Sequence, residues 1–155
     1  MKDVFFLALG IVVIIGSFYA VLQKPAPPQY QGVSTWQVDT LWIGDKSITV
    51  EVADTDEERT QGLSGRGSLG VGQGMLFLFE FAARYGFWMK DMKFAIDIIW
   101  LNDAWQVVGV ERDVPPSSYP HVFYPPSPVS YVLELPAGQA AALGIDTGST
   151  LFFEQ

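Results

Sequence analysis

Residues 94–112, Phe94-Ala95-Ile96-Asp97-Ile98-Ile99-Trp100-Leu101-Asn102-Asp103-Ala104-Trp105-Gln106-Val107-Val108-Gly109-Val110-Glu111-Arg112, read as two strands joined by a turn. Phe94 to Leu101 is rich in Ile and aromatic side chains and is interrupted by a single acid. Asn102-Asp103 marks the turn, and Trp105 to Arg112 resumes a strand pattern. Upstream, Trp36 to Ile43 and Lys46 to Ala53 alternate around Gly44-Asp45, a hairpin signature. Thr55-x-x-Glu58 then forms a capping box, with acids in the first turn and Gly62 as a stop, so a helix of about two turns follows. Met75 to Phe79, Gly86 to Met89, Ser130 to Leu135 and Thr150 to Phe153 read as further short strands, and Ala137 to Leu143 as a small helix ended by Gly144. Seven or eight short strands with two short helices predict a mainly β (β-rich α+β) domain, a compact barrel-like fold or a sandwich. No βαβ rhythm is visible, so a parallel sheet is not expected.

Ahead of this domain, residues 4–22 carry no charged side chain. At about 1.5 Å of rise per residue, such a run nearly spans a hydrocarbon core of roughly 30 Å, and helix is the form open to a single segment in lipid. Residues 1–23 are therefore expected to be a transmembrane anchor. A cleaved signal peptide is the competing reading. Against it, the run is long, Asp3 offsets Lys2, and neither Ala20 nor Ala26 ends a small-x-small site. Lys2 and Lys24 leave the positive-inside balance close to a tie. The short leader favours a single-pass protein with its body exported, in the periplasm or at the cell surface. Residues 24–35, with Pro25, Pro27 and Pro28, form a semi-rigid linker. Residues 36–155 suit one domain with one core.

Charge narrows the partners. Setting aside Lys2, Asp3 and Lys24 leaves 7 basic and 16 acidic side chains of the chain's 9 and 17, a balance of −9. Nucleic acid and anionic headgroups need clustered Lys and Arg, so neither is an expected partner. The absence of cysteine excludes thiol nucleophiles, disulfides and thiolate metal sites, and the single His121 rules out a multi-histidine metal centre. No cofactor or metal is expected. The glycine-rich stretch Ser64 to Gly74 lacks the Gly-Lys-Ser/Thr of a phosphate loop and reads as a flexible rim. Pro115 to Pro128 holds six prolines together with Tyr119, His121, Phe123 and Tyr124, and reads as a long loop.

Asp97 is the sharpest anomaly, because an ionised carboxylate among apolar neighbours must be paired or its pKa rises. It is read either as a structural acid that accepts hydrogen bonds or as a ligand-binding or acid/base group. Trp88 sits at a strand end, where it stacks on a ligand or plugs the core. Arg66 carries a fork suited to Asp97 or to a ligand carboxylate. Glu80 offers a second carboxylate. His121 lacks a local orienting acid and reads as a solvated loop residue.

Together these stretches resemble one family. Val50-x-Val52-Ala53-x-Thr55, Glu58-Arg59-x-x-Gly62-Leu63-x-x-Arg66, Gly74-Met75-Leu76-Phe77-x-Phe79, Phe87-Trp88-Met89-Lys90, Ile96-Asp97-Ile98, and Tyr131-Val132-Leu133-Glu134 with Gly138 and Gly144-Ile145 are similar to the domain of unknown function DUF192. The match spans about residues 46–153. It implies a small β-rich domain, often behind a signal sequence, and no established activity. The family pattern has Met at the place of Ser64, Asn-Thr at Asp91-Met92 and Pro at Ala95, so hydrogen-bonding groups beside Trp88 differ in this chain.

The expected function is non-catalytic binding of a small molecule, glycan or protein beside the membrane, on a rim of Arg66, Trp88, Lys90 and Asp97, with Tyr119 to Tyr124 as a cover. Arg66 would pair an anion, Trp88 stack, and Asp97 hold Arg66 or accept from the ligand. The alternative is a hydrolase of envelope glycans or peptides using Asp97 and Glu80. A third reading is a structural subunit whose aromatic patch docks another membrane protein.

Overall fold

The computed structural model describes residues 37–153. The expected anchor (1–23) and linker (24–35) lie outside the described residues. Among those described, no helix is long and apolar enough to cross a membrane.

The chain forms β1 (Gln37–Ile43), β2 (Lys46–Ala53), α1 (Asp56–Gln61), β3 (Gln73–Ala83), β4 (Phe87–Trp88), β5 (Ile96–Leu101), β6 (Val107–Val114), β7 (Val122–Phe123), β8 (Val129–Pro136), α2 (Gln139–Leu143) and β9 (Phe152–Phe153). Seven strands make one sheet in the order β6-β5-β8-β3-β2-β1-β9, while β4 and β7 form a separate ribbon. The domain is a β-rich half-barrel with two short helices. Its edges are stitched at one end: Leu151 and Val107 donate backbone bonds to Trp105 and Ser149 respectively, just before β9 pairs with β1.

The expected β1–β2 hairpin is present, with Gly44 at φ 57° in the two-residue turn. The capping box is present too: Glu58 N donates to Thr55 Oγ1 and Thr55 N to the Glu58 carboxyl, each at 3.2 Å. Two expectations need correction. β2 and β3 pair in parallel through α1, so one βαβ crossover exists; a helix of six residues is too short to announce it by periodicity. Pro115 to Pro128 is not all loop, because a 3-10 turn at Pro116–Ser118 and strand β7 lie within it.

The middle strands are covered on both faces. One face packs Leu76, Ile99, Leu101, Tyr131, Leu133 and Leu135 with Leu41, Ile48, Ile145 and Leu151. The other packs Phe77, Ile96, Ile98, Trp100 and Val132 with Leu63 and Met89 from the overlying loops. Double coverage explains why β5 and β8 are apolar almost throughout. Each carries one acid, Asp97 and Glu134. Asp97 pairs with Leu135 and Glu134 with Ile98, so their side chains leave the sheet on opposite faces.

Candidate functional site

Glu134 decides where the site lies. It is 6% exposed, and burial pushes its carboxyl up to about 8 from the ordinary 4.5. It makes no hydrogen bond or ion pair among the described residues. Such a group is costly to bury without compensation, and its neutral form is the cheaper one.

It lines a cleft of about 720 Å³ on the loop-covered face. The floor comes from the central sheet, with Phe77 and Phe79 on β3 beside Glu134 on β8. One wall is α1 and its exit, from Asp56 and Arg59 to Ser64; the other is Tyr85 to Trp88 with Met92. Aromatic packing fixes the wall. Phe79 and Tyr85 stack with centroids 3.6 Å apart, and Phe77 meets Phe87 edge-on at 5.0 Å. Arg59 lies over Phe79, 5.6 Å from its centroid, while donating to the carbonyl of Leu78 and to Asp56 Oδ1. Its guanidinium is thus spoken for. Glu80, Phe81 and Trp88 stand exposed at the mouth.

A second hollow of about 780 Å³ adjoins this cleft, sharing Asp56, Thr60, Gln61, Ser64 and Trp88 and reaching Lys90 and Asp91. Ser64 Oγ donates to the Lys90 carbonyl at 2.9 Å and Gly65 N to that of Asp91, so this rim is tied across the groove.

The expected site residues separate into two groups. Trp88 and Glu80 line the cleft, and Lys90 lines the adjoining hollow. Asp97 and Arg66 do not join them. Asp97 is fully buried on the opposite face, where Oδ1 accepts from Asp113 N and Oδ2 from Ala140 N, each at 2.9 Å. That removes the ground for Asp97 as a ligand contact or as a catalytic partner of Glu80. Arg66 makes a two-pronged bond to Glu51, at 2.7 and 2.6 Å, rather than to Asp97. Tyr119 and Tyr124 are exposed and line neither hollow, although the Tyr124 ring packs over Gly86 of the cleft wall. The expected cover is instead a wall support, through the β4–β7 pairing of Phe87 with Phe123 and Trp88 with Val122.

Glu134, Phe79, Tyr85 and Arg59 were not among the expected site residues. The signal for Glu134 was present: one acid in the apolar run Val129 to Leu135, the same anomaly that marked Asp97. Among the described residues no cluster of three or more His, Cys, Asp or Glu side chains could hold a metal ion.

The solved structures similar to this chain include two that are 28% identical to it. One is a protein of Sinorhizobium meliloti 1021 described as a candidate transcription regulator, with a TM-score of 0.73 and 28% identity, covering 79% of this chain and 98% of that one. Another is a protein of unknown function from Novosphingobium aromaticivorans DSM 12444, with a TM-score of 0.71 and 28% identity, covering 84% of this chain and 95% of that one. No curated protein matches. The family model of DUF192, described as an uncharacterized ACR, matches residues 39–153. With that span matched, the chain belongs to the DUF192 family.

Proposed function

We propose that this DUF192 domain is a non-catalytic binding module for a small organic ligand, held beside a membrane by residues 1–23 with its body outside the cytoplasm. The observation that carries the reading is Glu134, a buried carboxyl without a partner on the floor of an aromatic cleft. A cleft of this volume falls in the size range of ligand sites, and its lining mixes aromatic rings with the polar groups of α1, Glu80 and Glu134. The charge-free run 4–22 and the proline-bearing linker support the tether.

A thermal-shift screen of the full chain in detergent tests the binding reading. A ligand at 100 times its Kd should add about 2.7 kcal/mol to stability. The shift should vanish in Trp88→Ala and Glu134→Gln; hits that persist in both variants place the ligand elsewhere. Extraction of membranes with alkaline carbonate tests the tether, and recovery of intact chain in the supernatant overturns it.

A second reading is favoured by the same carboxyl. A hydrolase of envelope glycans or peptides could use Glu134, held protonated, as general acid, with Glu80 of the same cleft as its second carboxylate. Hydrolysis lost in both Glu134→Gln and Glu80→Gln would favour the enzyme over the binding module.

A further inference from the structure

We propose that the ligand of this cleft is an organic cation, a primary ammonium on an apolar stem, whose head group binds Glu134 while its stem lies against Phe87 and Trp88. This rests on the cleft being the binding site. Three observations select the class. The buried carboxyl has no positive neighbour: no cation lies within 4.0 Å of it among the described residues, and Arg59, the one cation lining the cleft, is held by Leu78 and Asp56. The aromatic wall already receives a cation, since that same Arg59 guanidinium sits over Phe79. Of the remaining charged groups of the cleft, Asp56 on α1 is already paired with Arg59, and Glu80 on β3 is an exposed acid that would attract an ammonium and repel a carboxylate.

Seating the cation changes the protonation of the floor. The empty site holds Glu134 as the neutral acid. An arriving ammonium keeps its own three protons, the Glu134 O–H bond breaks, and its proton leaves to solvent. What remains is a hydrogen-bonded carboxylate–ammonium pair, and the charges balance. The residues paired directly with Glu134 on the neighbouring strands are apolar, Met75 from β3 and Ile98 from β5. The titratable or charged groups that line the same cleft are Asp56, Arg59, Glu80 and Tyr85. Binding below pH 8 should therefore release about one proton per ligand, and affinity should rise about tenfold per pH unit from 6 to 7 and flatten above 8.

Isothermal titration of the full chain in detergent, in two buffers of different ionisation enthalpy, makes the test. The probes share one skeleton: 2-phenylethylamine, 2-phenylethanol and phenylacetate. The expected result is amine binding at least tenfold tighter than the alcohol or the acid, one proton released near pH 7, and loss of that release in Glu134→Gln. Trp88→Ala, at a side chain 52% exposed, should weaken amine binding without unfolding the domain. If the alcohol or the acid binds as well as the amine, without proton release but still sensitive to Trp88→Ala, the cation class is wrong and the cleft reading stands. If no probe binds, or binding ignores both substitutions, the cleft reading falls and the ligand class with it.

Discussion

Asp97 and Ala140, 43 residues apart in the chain, are joined by a 2.9 Å hydrogen bond from the first turn of α2 to the buried Oδ2. The helix has Gly138 as its N-cap and no side-chain cap of its own, so an acid on a distant strand does the capping. The other oxygen holds the amide of Asp113, which sits at φ 51° near the end of β6. One side chain thus ties β5 to the end of its neighbour and to α2. Asp97→Ala leaves both amides without their acceptor, and at about 1–3 kcal/mol for each unsatisfied buried donor it should cost about 2–6 kcal/mol. Urea denaturation measures that loss. Affinity at the cleft, on the opposite face, should be unchanged in Asp97→Asn; a large affinity loss there would return Asp97 to the site.

Glu134 makes stability depend on pH with a definite sign. Its folded value of about 8 lies above the ordinary 4.5, raised by burial. The folded state therefore binds the proton more tightly. The resulting stabilisation is fully present below about pH 4.5 and is lost as pH rises through 8. The shift sets its size at no more than about 5 kcal/mol. Urea midpoints of the wild type at pH 5, 7 and 9 should fall relative to those of Glu134→Gln, which lacks the titrating group. Glu134→Leu should be the more stable protein at pH 9, because it buries no charge. Parallel pH profiles for wild type and Glu134→Gln would show that the carboxyl is not buried as described.

What could be read from the chain alone was what is local. The Thr55–Glu58 capping box, the Gly44-Asp45 turn and the apolar strand around Asp97 are decided within a few residues, and each stands in the structure. Asp97 was legible as an anomaly but not in its role, since the amides that satisfy it come from Asp113 and Ala140. Glu134 carried the same anomaly inside a family motif, and which face it entered depends on the register with Ile98. β4 lies within the strand read over Gly86 to Met89, but its partner β7 was invisible for another reason: a two-residue strand among prolines shows no period, and the pairing arises only in the fold.

Arg66 belongs to the framework on this reading. Its two-pronged bond to Glu51 anchors the glycine-rich stretch to β2, with both side chains about a quarter exposed, at 26% and 28%. Partial exposure limits its worth, so Arg66→Ala should cost about 1 kcal/mol, with a smaller effect at high salt. Arg66→Lys should recover only part, because a single ammonium cannot reproduce the parallel bonds. Melting temperatures at low and high ionic strength give both values. Ligand affinity should not move; a tenfold loss in Arg66→Ala would mean that the guanidinium leaves Glu51 for the ligand.

Gly86 carries the last prediction. A Cβ there would stand 2.7 Å from Val122 Cγ1 and 2.9 Å from Tyr124 Cε1. Tyr124 is exposed and can swing aside, but Val122 is β-branched and is paired to Trp88 across the ribbon. Gly86→Ala should therefore push β7 from β4 and displace the Phe87 edge from Phe77, at an overpacking cost of about 1–3 kcal/mol. Since Phe87 and Trp88 line the cleft, ligand affinity should fall several-fold in the same variant. Adding Tyr124→Ala relieves only the yielding contact and should restore little, whereas adding Val122→Ala should restore both stability and affinity. Full rescue by Tyr124→Ala alone would make the tyrosine, and not the ribbon, the part that shapes the wall.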